Sequence, residues 1–332
     1  MNAATLSALV PALANRRVVV VGDVILDEYI FGKASRLSRE APIPVLEFER
    51  REYIPGGAAN PAANIAALGS TAIQVGVMGQ DGEADRLCEA LKMRGIDPAG
   101  LVSDPSRSTT VKTRILAQMG LRFPQQMARI DHIDRHPVAG EVEQAVIARI
   151  ESVGRSVDTI MVSDYLTGLL TPAVVDAVRH AGQETLITAD AQGELDKYAG
   201  FDVVKCNADE AARYFEHPLQ SNADFAAAGR AMVERLRVRG GMLITRGPEG
   251  VTLAQRTGQI DHIPAAHIED VYDTVGAGDT ALAVVTLALA AGAAYPEAAR
   301  LATLAAGIVV RKVGNYAPSP AELLDVIREQ EA

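Results

Sequence analysis

Apolar runs alternate with amphipathic stretches along most of the chain, and the two kinds of stretch predict strands and helices in turn. Residues 18–22 form a continuous β-branched run that ends in glycine, which is typical of a strand buried on both faces of a parallel sheet. The later predicted strands cover residues 73–77, 159–162, 185–188, 202–205 and 242–245. The predicted helices cover residues 61–68, 82–92, 139–153, 172–181, 221–238, 280–291 and 298–313. This alternation predicts a doubly wound, mainly parallel α/β fold.

Two stretches, at about residues 28–54 and 109–131, interrupt the alternation with short extended segments. Pro42 and Pro44 exclude a helix in the first stretch. Apolar and polar residues alternate in the second stretch, which predicts strands. We therefore predict one large domain over residues 1–332, with a small β-sheet inserted as a lid. A peripheral hairpin without function is the alternative.

Composition and charge exclude several classes of protein. The net charge is −10 and no basic block is present, which argues against a nucleic-acid or membrane-surface partner. The two cysteines form no CxxC pair, so we expect a reducing, cytoplasmic setting. The apolar stretch Leu6–Ala14 lacks a basic leader and is predicted to be a short docking helix rather than an export signal.

Carboxylates follow several of the predicted strands. Asp23 and Asp27 come after the first strand, and Asp164 and Asp190 follow two later strands. Ligands of open α/β sheets bind beyond the carboxyl ends of the strands, so these side chains are expected at one ligand-binding edge. Asp27 is predicted to grip substrate hydroxyls, whereas Asp23 either contacts substrate or caps the turn.

The segment Asp273-Thr-Val-Gly-Ala-Gly-Asp279 precedes the apolar helix predicted over residues 280–291. The first amides of a helix lack intrahelical partners and attract anions, and a carboxylate in the first turn is kept ionised by the helix dipole. An anion cradle at Gly276, Ala277 and Gly278 with a base at Asp279 suits phosphoryl transfer to an alcohol. A glycine turn before a buried helix is the plain alternative.

A dinucleotide-binding fingerprint is a second alternative for the same glycines. Gly276, Gly278 and Ala281 fit its spacing, and Glu297 lies at about the right distance for a ribose contact. However, residues 268–274 carry three carboxylates where a buried strand is required, and the motif comes near the end of the chain. The sequence contains no GxxxxGK[ST] motif, so any ATP chemistry is not of the P-loop kind.

Three further segments carry candidate binding residues. Gly56, Gly57 and Asn60 open a predicted helix, where the glycines allow close approach and the amide can bind hydroxyls. Asn207 and Glu210 share a helix face and either bind hydrated Mg²⁺ or form a helix cap. A tight turn that could admit a nucleotide contains Thr245, Gly247 and Gly250, and the helix predicted over 298–313 could form a wall of the adenine pocket.

These motifs occur in the order found in the PfkB-type, ribokinase-like carbohydrate kinases, which the chain resembles from Val18 to about Pro318. The resemblance implies an ATP- and Mg²⁺-dependent sugar kinase. It implies that Asp279 is the catalytic base, that residues 276–278 are the anion hole, and that Glu210 is linked to magnesium. It also implies sugar contacts by Asp27, Gly57 and Asn60, and a possible K⁺ site at the backbone carbonyls near Asp273 and Val275.

Four further motifs are similar to those of the PfkB-type kinases that phosphorylate D-glycero-β-D-manno-heptose 7-phosphate at O1. They are residues 22–27, 35–44, 163–165 and 305–310. Those kinases often precede a nucleotidyltransferase domain in the same chain. This sequence shows no such domain, so the resemblance implies a stand-alone form here. Thr167 and Gln192 replace two lysines of that group, and Thr303 replaces an asparagine that faces the adenine. Another sugar, such as ribose, fructose or a sugar phosphate, is therefore an alternative, and a non-catalytic sugar-binding regulator is another.

The lid supplies the last predictions. Arg36 and Lys112 are predicted to contact a substrate phosphate, because the lid carries more positive charge than a neutral sugar needs. Apolar residues alternate with polar ones along the lid segments, so one face is expected to need a cover. The apolar residues of this pattern are Phe31, Leu46, Phe48, Tyr53, Ile115 and Leu116. We predict a homodimer joined through the lids, with each active site largely within one subunit; a monomer is the alternative.

Overall fold

The computed structural model describes residues 2–118, 124–266 and 271–330. The strands are β1 (Arg17–Gly22), β2 (Val24–Leu37), β3 (Pro44–Gly57), β4 (Thr71–Met78), β5 (Asp97–Ser103), β6 (Val111–Gln118), β7 (Gln125–His132), β8 (Thr159–Asp164), β9 (Leu186–Ala191), β10 (Val203–Asn207), β11 (Gly241–Thr245), β12 (Val251–Gln255) and β13 (Ile260–Ile263). The helices are α1 (Ala3–Ala12), α2 (Ala59–Ala67), α3 (Gly82–Met93), α4 (Gly140–Gly154), α5 (Pro172–Ala181), α6 (Ala208–Phe215), α7 (Asn222–Arg235), α8 (Ala277–Ala290), α9 (Tyr295–Val309) and α10 (Pro320–Glu329).

The larger sheet has nine strands in the order β13-β12-β11-β10-β9-β8-β1-β4-β5. Seven of them, from β11 to β5, pair in parallel, and β12 and β13 add an antiparallel edge. The parallel strands end at the same edge, and the site residues come from that edge. The prediction of a mainly parallel α/β sheet is therefore confirmed.

Helices cover both faces of this sheet, and the run of valines in β1 shows why. Val18 and Val20 pack into one apolar core, and Val19 and Val21 pack into the other. The first core includes residues of α1, α2, α3, α8, α9 and α10, and the second includes residues of α4 to α7. A strand buried on both faces needs apolar residues at every position, which the continuous run provides.

The smaller sheet forms from the two interrupting stretches, in the order β3-β2-β6-β7. Strands β2 and β3 are 14 residues each, so the segments are longer than the short pieces expected. Residues 119–123 of the second stretch lie outside the described residues, as do residues 267–270 of the acidic segment before the glycine motif. Strand β2 begins two residues after β1 ends, which joins the small sheet directly to the ligand-binding edge.

The sequence predicts that the apolar side chains of the lid share one uncovered face. In the structure, some of them are buried and others are exposed. Phe31 and Leu116 are buried with Tyr29, and the Arg50 guanidinium lies 3.7 Å from the centre of the Phe31 ring. Phe48 remains 65% exposed. The other exposed large apolar residues of the sheet and its hairpin are Leu37, Ile43, Met127 and Ile130.

Candidate active site

The glycine motif forms the N-terminus of α8. Gly276 has φ of +80°, a left-handed conformation that favours glycine, and a Cβ there would lie 2.7 Å from the Asn60 side-chain nitrogen. No side chain caps this helix among the described residues. The Ala277 N–H donates to the Thr274 carbonyl at 3.4 Å, a long hydrogen bond that an anion can replace, and the first N–H groups of a helix lack intrahelical partners. The described residues 271–276 before α8 contain no strand, which argues against the dinucleotide alternative.

Asp279 lies buried in the first turn of α8. Asn60 of α2 donates a hydrogen bond from Nδ2 to Asp279 Oδ2 at 2.7 Å. The hydroxyl of Tyr165 donates to both carboxylate oxygens, at 3.0 Å and 2.9 Å. Burial and the nearby charge of Asp190 raise the pKa of Asp279 to about 6, against the opposing effects of Asn60, Lys205 and Tyr165. A carboxylate with that pKa is a proton acceptor at neutral pH.

A buried ion pair lies beside the anion cradle. Lys205 Nζ donates to Asp190 Oδ2 at 2.6 Å, and the two residues come from the neighbouring strands β10 and β9. A Cβ on Gly278 would lie 2.7 Å from Lys205 Nζ, so the ammonium group lies against the backbone of the cradle. Burial alone would lower the pKa of Lys205, but the charge and hydrogen bond of Asp190 raise it. Lys205 therefore places a fixed positive charge where phosphate is expected.

The carboxylates around this pair can accept a hydrated metal ion. The second oxygen of Asp190, Oδ1, is buried and has no hydrogen-bond partner among the described residues. Burial raises the pKa of Glu210, and the charge of Asp190 adds to that rise against the opposing charge of Lys205. Oxygen ligands suit Mg²⁺. Asp190 and Glu210 thus fit a magnesium–nucleotide complex, although no group of three or more His, Cys, Asp or Glu residues suited to a metal occurs in the described part of the chain.

Asn207 and Glu210 also form the helix cap that was the alternative to a metal role. Asn207 Oδ1 accepts from the Glu210 amide at 2.9 Å, and Glu210 Oε2 accepts from the Asn207 amide at 2.7 Å. This reciprocal pair begins α6. The capping pair uses one carboxylate oxygen of Glu210, so both roles remain compatible.

Asp27 lies in β2 with its carboxylate buried between two partners. The Arg114 guanidinium of β6 donates to Oδ1, and Asn315 Nδ2 donates to Oδ2 at 2.6 Å. Gly56 and Gly57 end β3 opposite Ile25 and Val24, at the base of the lid. Arg114 and Asn315 therefore fix the orientation of the carboxylate predicted to bind hydroxyls.

Asp23 and Asp164 bind backbone amides, and their predicted substrate contact stays a prediction. Asp23 accepts backbone hydrogen bonds from Tyr165, Thr167 and Leu169, at 2.8, 3.2 and 3.3 Å. Asp164 accepts from the Leu166 amide at 2.8 Å and from the Tyr198 hydroxyl. Both carboxylates bind the loop that follows β8, because Leu166 there has φ of +56° and turns the backbone amides inward. Asp23 thus caps the loop after β8, 142 residues further along the chain, rather than the turn at its own position.

The two predicted phosphate contacts in the lid lie in different places. Lys112 of β6 lies opposite Asp27 in the backbone register of β2 and β6. Its ammonium group lies 5.2 Å from the centre of the Tyr165 ring. Arg36 is exposed near the other end of β2. Eight residues of β2 lie between it and Asp27, and nine residue steps of an extended strand span at most about 30 Å. Within one chain, Arg36 therefore cannot contact a substrate held by Asp27.

The predicted nucleotide and cation residues lie in the loop before α8, in α9, and at and after the end of β11. Asp273 accepts from the amides of Val275 and Gly314, at 3.0 Å and 2.9 Å, and so ties together the loops before α8 and after α9. The Thr303 hydroxyl donates to the Arg300 carbonyl within α9. The other three residues lie at the end of β11 and in the turn to β12: Thr245, Gly247 and Gly250.

Three contributors to the site were not singled out from the sequence. Tyr165 and Asn315 reach it through contacts with residues 114 and 288 positions away in the chain, and Lys205 through an ion pair with Asp190, 15 residues before it. A signal existed for Lys205, which lies two residues before Asn207 at a strand end that faces ligand. Nothing local marked Asn315, because its partner Asp27 is 288 residues away.

Together, the parallel sheet, the anion cradle and the buried base define a phosphotransferase of the ribokinase-like α/β class. The pfkB family carbohydrate kinase model matches residues 15–322. The chain belongs to this family. It is therefore a phosphotransferase that acts on a sugar alcohol group and uses ATP, and the non-catalytic alternative is set aside.

Curated relatives cover nearly the whole chain. Bifunctional protein HldE of Geobacter sulfurreducens is 38% identical over 309 residues, which are 92% of this chain and 62% of that protein. The protein of the same name from Caulobacter vibrioides is 40% identical over 322 residues, or 96% of this chain and 65% of that protein. The chain thus spans less than two thirds of the length of these relatives.

Solved structures share the fold at low sequence identity. Arabidopsis thaliana ribokinase complexed with ribose and ATP matches with a TM-score of 0.71 and 20% identity, over 95% of this chain and 99% of that one. Phosphofructokinase-2 from Escherichia coli, in complex with substrates and products, matches with a TM-score of 0.78 and 16% identity, over 96% and 100%. In the described residues, no helix is long and apolar enough to span a membrane.

Proposed function

We propose that the chain transfers the γ-phosphoryl group of ATP to O1 of D-glycero-β-D-manno-heptose 7-phosphate. The observation that carries the phosphoryl-transfer part is the buried Asp279 carboxylate next to the uncapped start of α8 and the Lys205 ammonium. The heptose part is supported by the 38–40% identity to proteins named HldE over nearly the whole chain.

In this proposal each residue has a defined task. Asp27 binds hydroxyls of the sugar, and Asp279 positions the acceptor hydroxyl and takes its proton late in the transfer. Amides at the start of α8, from Ala277 on, and the Lys205 ammonium stabilise charge on the transferring group. Asp190 and Glu210 would hold hydrated Mg²⁺. The ion, when bound, neutralises charge on the nucleotide phosphates.

The 7-phosphate would be bound by Lys112. Arg114 has its charge offset by Asp27, whereas Lys112 lies beside Tyr165 at the entrance to the base. Burial lowers the pKa of Lys112, and the charge of Asp27 opposes that shift. A phosphate dianion would oppose that shift as well, because a nearby opposite charge stabilises the ammonium group.

A neutral sugar is the second candidate, and one observation favours it. Thr167 and Gln192 stand where the heptose kinases carry lysines, and Arg36 is too far from Asp27 to replace them within the chain. Ribose or fructose would need only hydroxyl contacts, which Asp27 and Asn60 provide.

The remaining parts of the proposal concern the surroundings of the site. Backbone carbonyls near Asp273 and Val275 are proposed to hold K⁺, supported by the tight loop that Asp273 organises. A homodimer through the lids is supported by the exposed apolar residues of that sheet, including Phe48. Use of ATP supports a cytoplasmic location.

An ADP-release assay with a panel of acceptors tests the substrate. The panel contains D-glycero-β-D-manno-heptose 7-phosphate, the same heptose without phosphate, ribose, fructose and fructose 6-phosphate, each with ATP and Mg²⁺. The proposal expects the heptose 7-phosphate to give the highest kcat/KM. A higher value for any neutral sugar would refute the 7-phosphate assignment and support the second candidate.

Substitution Asp279→Asn tests the base independently of the sugar that the panel identifies. It keeps the shape of the side chain and removes the proton acceptor. Turnover should fall by about two to four orders of magnitude, the usual contribution of a positioned base, while ATP still protects the protein against thermal unfolding. Turnover close to that of the wild type would show that another group accepts the proton.

A further inference from the structure

We propose that the Tyr165 hydroxyl occupies the position of the acceptor hydroxyl on Asp279 until the sugar arrives, and so keeps water from using the base. This inference rests on the proposed role of Asp279 as the catalytic base. It assigns Tyr165 as a positioning residue that sugar binding must displace.

The geometry around the carboxylate carries the proposal. The Tyr165 oxygen is almost equally distant from the two Asp279 oxygens, at 3.0 Å and 2.9 Å, so it faces the open end of the carboxylate. Asn60 takes a further position on Oδ2. An acceptor hydroxyl must come within about 2.6–3.2 Å of the base to lose its proton. The tyrosine hydroxyl already holds that distance, so a sugar hydroxyl has to replace it.

The backbone of Tyr165 is fixed by hydrogen bonds. Only its side chain can therefore move when a sugar hydroxyl replaces the tyrosine hydroxyl at Asp279. Its amide donates to Asp23 at 2.8 Å, and the next amide, of Leu166, donates to Asp164. Gly168 fits tightly against the His136 carbonyl, where a Cβ would lie 2.3 Å away. The Tyr165 side chain is only partly buried and has Lys112 of the lid over its ring. Rotation of this side chain alone can therefore open the base, at the place where a sugar enters beneath the lid.

The chemistry of the hydroxyl suits a blocking role. Burial and the charge of Asp279 raise the pKa of Tyr165, so the hydroxyl stays protonated and remains a donor. Without it, a water molecule can donate to Asp279 and attack the γ-phosphorus of bound ATP. The bond between that phosphorus and the β–γ bridging oxygen then breaks, which gives ADP and inorganic phosphate, and the proton of the water passes to Asp279.

The test measures ATP hydrolysis with Mg²⁺ and no sugar, in the wild type and in Tyr165→Phe. The substitution removes one oxygen atom and keeps the ring. Because a hydrogen bond to a charged group corresponds to a factor of about ten or more, sugar-independent hydrolysis should rise roughly tenfold. The double variant Tyr165→Phe/Asp279→Asn should return to the wild-type rate or below. Tyr214→Phe is the matched control, since Tyr214 donates a similar hydrogen bond to Asp196 on the surface.

Kinetics with heptose 7-phosphate add a second criterion. Tyr165→Phe removes the hydroxyl that competes with the sugar for Asp279. The KM for the sugar should therefore fall, while kcat stays nearly unchanged. An unchanged rate of hydrolysis without sugar, or a fall in kcat at constant KM, would overturn the proposal and make Tyr165 a fixed support of the base. If instead Asp279→Asn alone keeps full turnover, the proposed base is wrong, which is a different result.

A spectroscopic readout does not depend on any variant being active. The chain has eight tyrosines, which can be labelled with 3-fluorotyrosine and observed by ¹⁹F NMR. The Tyr165 resonance, assigned by its loss in Tyr165→Phe, should shift on addition of heptose 7-phosphate and stay in place with ATP alone. If the panel identifies another sugar, that sugar is the probe. A resonance that does not respond to a sugar that is turned over would contradict displacement.

Discussion

At the scale of single residues, the pKa of Asp279 has a direct kinetic consequence. The pKa is raised to about 6, first by burial and then by Asp190, while Asn60, Lys205 and Tyr165 oppose the rise. Only the ionised carboxylate accepts a proton, so kcat/KM should be constant well above pH 6 and fall about tenfold per pH unit below it. A pH profile of kcat/KM measures this limb. An acid limb near the ordinary pKa of aspartate, about 4, would contradict the arrangement.

The Lys205 ammonium should control both this pKa and the transferring phosphate. Replacement by methionine, Lys205→Met, removes a charge that opposes the rise of the Asp279 pKa, so the acid limb should move to higher pH. Turnover should fall by about two to three orders of magnitude, as expected for a lost electrostatic contact to the transition state. The pH profile and kcat of Lys205→Met and of the exposed control Lys92→Met provide the measurement. An unmoved limb with wild-type turnover would place Lys205 in a purely structural role.

At the scale of secondary-structure elements, the start of α6 combines a cap with a candidate metal contact, and one substitution separates them. Glutamine can replace glutamate in a capping box, so Glu210→Gln should leave the free energy of unfolding within about 0.5 kcal/mol of the wild type. The apparent affinity for Mg²⁺ in the kinase assay should fall by about tenfold because the carboxylate charge is lost.

A matched control exists at α10, where Glu322 forms the same reciprocal pair with Ser319. The variant Glu322→Gln should change neither the Mg²⁺ dependence nor the turnover. If Glu210→Gln and Glu322→Gln behave alike, Glu210 is a cap and nothing more.

How far the sequence predicts these elements depends on the range of the interactions. The valine run of β1 and the glycines before α8 are local patterns, so the strand was predicted correctly and the helix was predicted only three residues late, from residue 280 instead of Ala277. The direction of the Asp23 carboxylate was not predictable, because it depends on the left-handed backbone at Leu166, more than a hundred residues later. The position of Arg36 depended on the length of β2, which the proline-containing pattern had suggested to be short.

At the scale of the whole molecule, the lid presents an apolar surface that one further subunit could cover. Phe48 is 65% exposed in β3, so burial in a homodimer interface would make a charge there costly. Sedimentation should show a dimer for the wild type at micromolar concentration and a monomer for Phe48→Glu. Met93→Glu is the matched control, since Met93 at the end of α3 is 87% exposed and lies outside the lid sheet. A monomeric wild type would refute the predicted interface.

The separation along the chain of the residues that meet in the site affects how the enzyme is made in the cell. Asn60 and Asp279 are 219 residues apart, and Asp27 and Asn315 are 288 apart. During translation, strand β2 with Asp27 and helix α2 with Asn60 leave the ribosome long before the helix with the base and the loop with Asn315. A nascent chain that lacks α8 has neither the base nor the anion cradle, so it cannot consume ATP. Catalytic activity should therefore appear only after the segment through Asn315 has left the ribosome and the most distant parts of the site have come together.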